Sequence, residues 1–258
     1  MFTETRLALQ LWRVHVLDVK DATRMATIEP FRTGKAYTVA QSARLAGTSP
    51  QNIRNWLIGR GQPEPRYEIA PVLGPKMRDP GTHLMVSFLD LAELIVVAKY
   101  RNGQGRKIPL KRLRAAHAFA RDRLKIDYPF ASRIFKLHGG HIIHDYEEEH
   151  PGPGTIAIDV GGNYMLPIEM DDALELFDFD ATDSALAFRW YPAGKSVPVM
   201  VDPEYGAGWP VVTGRNVRTS VLVGRWQSGW TYEELAEDFS IDADIVEAAV
   251  RAGVKFAA

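Results

Sequence analysis

The sequence has no cysteine, which rules out disulfides and thiolate metal sites, and nothing in it signals secretion. No apolar run approaches the roughly 18 residues that a membrane span needs. Residues 1–18 lack an apolar core followed by a small-residue cleavage site, so no signal peptide is expected. Low-complexity tracts and repeats of whole structural units are also missing. A cytoplasmic, non-membrane protein is the expectation. What is present can build a core: 258 residues, 46 % of them hydrophobic, which suits about two domains.

The net charge of −1 conceals a split. Residues 1–136 hold 24 Lys and Arg against 11 Asp and Glu, a balance of +13. Residues 137–258 hold 7 against 21, a balance of −14. A basic half of this kind can displace counterions from a phosphate backbone and so points to nucleic acid at one end of the chain. The alternative is two solvated faces that attract each other.

Along the chain, residues 1–27 are weakly patterned and read as a tail or short accessory element. Helices are predicted over 38–46 and 50–60. Residues 61–81, rich in Gly and Pro, leave room for a strand or short wing, and 83–88 alternate loosely like a strand. Leu91, Leu94, Ile95 and Ala98 recur at helical spacing over 89–100, and Leu113, Ala116, Phe119, Ala120 and Leu124 do so over 109–124. Residues 132–137 and 141–146, parted by Gly139-Gly140, predict a β-hairpin. Residues 155–160 and 164–166 flank Gly161-Gly162 as strands, with further strands at 185–191 and 197–201. Three helices close the chain. They cover 219–228, 231–238 with a Thr231/Glu234 capping box, and 242–252 with Asp242 as N-cap and Gly253 as stop.

The most informative segment is 37–60, YTVAQSARLAGTSPQNIRNWLIGR. Its spacing predicts a helix-turn-helix. Two short helices can cross steeply only where a small residue faces the partner, and Ala43 fills that place. Gly47, four positions on, suits a turn with positive φ. Ser49 as N-cap and Pro50 as first helical residue form a favoured pair. Val39, Leu45, Ile53, Trp56 and Leu57 return apolar groups to the core. This leaves Gln51, Asn52, Arg54 and Asn55 pointing outward at the start of the second helix, where this motif meets base edges in the major groove. Amide side chains suit adenine and Arg suits guanine. Arg44 and Arg60 are placed as phosphate contacts, and Ser49 at the head of the helix is counted with the DNA-binding residues. An ordinary helical hairpin with polar outer residues is the plainer reading.

These residues carry a resemblance. YTVAQSARLAGTSPQNIRNWL resembles the first two helices of MerR-type regulators, and SFLDLAELIVVAKYRNGQGRKIPLKRLRAAHAFAR is similar to that family's later helices. Residues 202–252 resemble a small helical domain of unknown function that often accompanies PIN-domain ribonuclease toxins. The matching features are Asp202-Pro203, the turns at 208–210 and 213–217, Gly229, Glu234-Leu235, Asp238 and the closing 246–249 run. Together the two ends resemble the long VapB-type antitoxins of VapBC toxin–antitoxin modules. The resemblance implies a protein that silences a cognate PIN-domain ribonuclease and represses its own operon through operator DNA. The outward residues Glu233, Glu237, Asp244 and Glu247 would repel phosphates, so the C-terminal helices are expected to serve dimerisation or toxin binding.

Signs of catalysis are thin. His138, His141, His144 and His150, with Asp145 and Glu147–Glu149, cluster without a standard zinc spacing. The carboxylates Asp171, Asp172, Glu175, Asp178, Asp180 and Asp183 could serve a magnesium nuclease, but a solvated acidic face is the commoner meaning of such a run. No catalytic residue, metal or cofactor is expected. The expected fold is α+β, with a basic helix-turn-helix domain (28–126), a small antiparallel β middle (127–201) and a C-terminal three-helix unit (202–258). A homodimer follows from reading two half-sites. The alternatives are a MerR-like regulator whose middle senses a small ligand and a metal-dependent hydrolase.

Overall fold

A short helix, α1 (Pro30–Thr33), leads into strand β1 (Tyr37–Thr38). The computed structural model describes residues 30–60, 70–73, 84–102, 109–135, 157–158, 164–165, 168–180 and 185–256. Thr38 then caps helix α2 (Val39–Leu45) through a capping box: its hydroxyl accepts from the Gln41 amide, and the Gln41 side chain accepts from the Thr38 amide. Gly47 turns the chain at φ 64°. Ser49 caps helix α3 (Pro50–Ile58), with Pro50 as its first residue. The predicted apolar set, Val39, Ala43, Leu45, Ile53, Trp56 and Leu57, is buried. The Trp56 carbonyl accepts from the Val72 and Leu73 amides, which returns the 70–73 segment to the hairpin. The rest of the expected wing, 61–69 and 74–81, lies outside the described residues.

Strand β2 (Met85–Val86) pairs antiparallel with β1, Tyr37 opposite Val86. Helix α4 (Phe88–Asn102) follows, and here the structure departs from the single apolar stripe expected. Phe88, Leu89, Leu91, Ala92, Leu94, Ile95, Val96, Val97, Ala98 and Tyr100 are all buried. A helix buried on every side is the centre of a core. Elements on both sides of residue 126 pack against it. Its one buried carboxyl, Glu93, meets His117 of helix α5 (Leu110–Leu124) at 2.9 Å and accepts from the Phe130 amide at 3.2 Å.

The hairpin predicted from 132 onward is corrected. A 3-10 turn at Pro129–Ala131 is followed by a helical turn at 133–135, and Ser132 makes only an isolated bridge to Leu186. Phe130 and Phe135 explain it. Five residues apart, they would point to opposite faces of a strand. In the compact turn both are buried, with ring centroids 5.0 Å apart. Its second strand, and the His138–His150 cluster with its neighbouring carboxylates, lie outside the described residues.

Strands β3 (Ala157–Ile158) and β4 (Tyr164–Met165) pair antiparallel. The acidic run contains more than a solvated face. It forms helix α6 (Ile168–Glu175) and strand β5 (Phe177–Phe179), with Ala173, Leu174 and Phe177 buried. β5 pairs antiparallel with β6 (Ala187–Trp190) through a bulge at Asp178/Phe179. Trp190 and Val201 exchange two backbone hydrogen bonds, joining this ribbon to the antiparallel pair β7 (Val199–Met200) and β8 (Val211–Val212).

Three helices, α7 (Thr219–Gln227), α8 (Tyr232–Phe239) and α9 (Ala243–Gly253), pack on one another over Leu222, Val223, Leu235, Val246 and Val250. The Thr231/Glu234 capping box is present. Gly253 does not stop the last helix as expected; it is the final helical residue. A side chain there would meet Thr219 at 2.9 Å, so its smallness lets α9 touch α7.

The fold is α+β, with helices around small antiparallel ribbons. One core runs from Tyr37 to Val201, and the second joins β7 and β8 to the last three helices. Among the described residues, no helix is long and apolar enough to cross a membrane.

Candidate nucleic-acid interface

The start of α3 presents a polar face whose side chains are ordered locally. The Ser49 hydroxyl accepts from the Asn52 amide at 3.2 Å, so its first task is to cap the helix. Asn52 Nδ2 donates to the Thr48 hydroxyl at 3.0 Å, tying that amide to the turn. Gln51 Nε2 donates to Asn55 Oδ1 at 3.0 Å, an i, i+4 pair on the exposed side of the helix. Arg54 is exposed and makes no ion pair among the described residues. No acidic side chain occupies the first turn, so the positive end of the helix dipole is left uncompensated. Unfilled donor and acceptor capacity remains on two amides and a guanidinium, the groups that can address base edges.

The two flanking arginines separate. Arg60 is exposed just past the end of α3. Arg44, exposed on α2, borders a cleft with Trp209, Pro210, Arg218, Thr219, Ser220 and Phe256. Arg218 and Ser220 were not among the residues picked out from sequence. Nothing local joins them to Arg44. The available signal was their place at the start of a helix in a half of the chain poor in basic residues.

The contact that brings the two ends together is Tyr37. Its hydroxyl donates to the Gly208 carbonyl at 2.8 Å. Gly208 has φ +75°, and any side chain there would collide with the Tyr37 ring and hydroxyl. Burial, and secondarily the charge of Asp202, push the Tyr37 hydroxyl well above the usual phenol value and keep it a donor. Asp202 is held by Arg189, whose Nε and Nη2 lie 3.1 and 3.0 Å from one carboxylate oxygen.

The acidic run offers no metal site among the described residues, where no group of three or more His, Asp or Glu converges. Asp178 accepts from Tyr191 and Lys195, each at 2.8 Å, and Asp180 pairs with Arg32. The two clefts bordered by Arg218 are lined by residues outside 137–201, the stretch that a ligand sensor would use.

Residues 199–251 match a family described as "Protein of unknown function (DUF433)". The Mycobacterium tuberculosis protein named "Putative antitoxin VapB45" is 22% identical over 219 residues, 81% of this chain and 89% of that protein. "Uncharacterized protein Rv2308" of the same organism is 23% identical over 222 residues, 84% of this chain and 89% of that protein. The crystal structure of Rv2018 from Mycobacterium tuberculosis is similar with a TM-score of 0.67 and 21% identity, covering 84% of this chain and 97% of that one. At that identity the likeness is one of fold, and it extends over nearly all of the solved chain.

Proposed function

We propose that this protein is an antitoxin of the VapB type, which silences a PIN-domain ribonuclease and represses its own operon by binding operator DNA. The observation that carries this reading is the similarity to the protein named as an antitoxin, spread over 81% of this chain and 89% of its relative. The division of labour follows from charge. The basic segment 28–126 is the DNA reader, with α2 and α3 as its helix-turn-helix. Gln51, Asn52, Arg54 and Asn55 address bases from the first turns of α3, and Ser49 holds that end of the helix in shape. Arg44 and Arg60 address phosphates, which set orientation and not sequence. A homodimer places two such helices in successive half-sites.

The segment 202–258 serves the protein partner. Glu233, Glu237 and Asp244 are exposed on α8 and α9, an acidic face that phosphate would avoid. The 127–201 segment connects the two.

Purification of the full chain, expressed together with its flanking genes, tests the reading. A ribonuclease should co-purify in a fixed ratio, and the complex should retard DNA from its own promoter. A flanking region without a PIN-domain reading frame, together with a chain that purifies alone, contradicts it.

A further inference from the structure

Two guanidiniums from opposite ends of the chain border one cleft that, among the described residues, contains no acid. The cleft, of about 340 Å³, lies between α2 and the start of α7, with Arg44 on one element and Arg218 and Ser220 on the other. We propose that this cleft is a phosphate site for the DNA backbone, with Arg44 and Arg218 as its two cations, so that the C-terminal segment also touches DNA. The proposal rests on the DNA-binding reading above.

Charge and position together pick out Arg218. The second half of the chain holds only 7 Lys and Arg against 21 Asp and Glu. In that half Arg189, Lys195, Arg225 and Arg251 all form ion pairs, with Asp202, Asp178, Asp238 and Glu247. Arg215, Arg218 and Lys255 form none among the described residues, and of these Arg218 borders the cleft; Arg44 forms none either. A basic group that escapes pairing in so acidic a segment is available to an external anion. Arg218 also borders a second cleft, of about 520 Å³, where Glu204 stands. An anion is therefore favoured on the Arg44 side, where no carboxylate among the described residues lines the wall.

One hydrogen bond orients the Arg218 guanidinium. Arg218 Nε donates to the Gly206 carbonyl at 3.0 Å, which leaves its two terminal nitrogens for a ligand. The Gly206 amide in turn donates to Asn216 Oδ1 at 2.9 Å. Gly206 has φ +56°, and a side chain there would run into Val211. The Tyr37–Gly208 hydrogen bond ties the strand that precedes α2 to the same turn, so the Arg44 and Arg218 walls are held to each other. Arg218, held at its Nε, has less freedom to lose on meeting a phosphate than a guanidinium without a contact. The nine-residue helix α7 adds its N-terminal dipole, with no acid in its first turn and an exposed Ser220 hydroxyl.

The DNA backbone is the occupant that the neighbourhood favours. Arg44 belongs to the helix that packs against α3, and in a helix-turn-helix the first helix crosses the phosphate backbone.

The test uses the full chain, a duplex from its own promoter and an unrelated duplex of equal length. Affinities of the wild type, Arg44→Gln, Arg218→Gln and Ser220→Glu are measured across a salt series. Each arginine variant should weaken binding to both duplexes alike and reduce the salt slope by about 1. Ser220→Glu sets a charge in the cleft without touching the Gly206 contact, and should weaken both duplexes as well. It keeps the test open should Arg218→Gln fail to fold. If Arg218→Gln and Ser220→Glu leave affinity and slope unchanged while Arg54→Ala weakens promoter binding, the cleft proposal falls and the DNA reading stands. If the wild type binds neither duplex, the DNA reading itself has failed and takes the proposal with it. Calorimetric titration with inorganic phosphate separates the remaining source. Phosphate binding that Arg218→Gln abolishes, with DNA affinity unmoved, would assign the cleft to a free phosphate and overturn the proposal.

Discussion

The Tyr37 hydroxyl and the Gly208 carbonyl, 171 residues apart in sequence, form a 2.8 Å buried hydrogen bond. Through it, the strand that opens the two-helix hairpin is fastened to the turn that positions Arg218. Tyr37→Phe keeps the ring and leaves a buried carbonyl without its donor, which costs about 1–3 kcal/mol. Gly208→Ala adds steric overlap and a strained φ, so it should destabilise more than Tyr37→Phe does. Urea denaturation of both variants checks the order. Equal stability of Tyr37→Phe and wild type would mean the bond contributes nothing.

Stability and recognition should come apart on α3. Arg54 is exposed, so Arg54→Ala should change folding stability by no more than about 0.5 kcal/mol. The same variant should weaken specific operator binding by about 1–3 kcal/mol. Ser49→Ala behaves the other way round at the first step: it loses the helix cap, at about 1 kcal/mol of stability. Thermal melts and DNA titrations on the two variants give the comparison. Operator binding unaltered in Arg54→Ala combined with Asn55→Ala would remove the reader from this helix.

The Glu93–His117 pair sits where α4, α5 and the Pro129–Ala131 turn meet, and both side chains are essentially inaccessible. Removing His117 takes one hydrogen-bond partner from a buried carboxyl that keeps the Phe130 amide, and leaves a cavity beside Phe130. His117→Ala should therefore cost about 1–3 kcal/mol, more than an alanine at an exposed site on α5. A midpoint in urea close to wild type would show that the pair is dispensable.

Asp178 gives the protein an acid-side dependence. Burial alone would push its carboxyl up. The hydrogen bonds from Lys195 and Tyr191, with the charges of Lys195 and Arg189, outweigh that and hold it below the usual carboxylate value. A depressed folded value stabilises the fold above the unfolded carboxylate pKa of about 3.9, and that contribution is lost as the pH falls through the lower folded value. Asp178→Asn should flatten the stability profile below about pH 4 and lower the plateau near neutrality. Denaturation midpoints across that range decide it, and parallel profiles for the two proteins would contradict the assignment.

What the sequence disclosed was local. Ser49-Pro50, Gly47 and the Thr231/Glu234 pair each act within a turn or two of themselves, and each does in the structure what its chemistry demands. What escaped depended on distant partners. The helical spacing in α4 shows one apolar side, because periodicity does not record that α6 and β6 will cover the others. The carboxylates of 171–183 masked a buried Ala173, Leu174 and Phe177, since charge density dominates a reading of so short a run. Phe130 and Phe135 have no local mark of being core partners. The cleft shared by Arg44 and Arg218 is the extreme case, assembled only when Tyr37 meets the Gly206–Gly208 turn.

Silencing of a ribonuclease, as proposed, is read by following RNA cleavage by the PIN-domain protein expected from the flanking genes while this protein is added from sub-stoichiometric to equimolar amounts. Cleavage should fall in proportion and be abolished once the binding stoichiometry is reached. Undiminished cleavage in the presence of excess folded protein would contradict it.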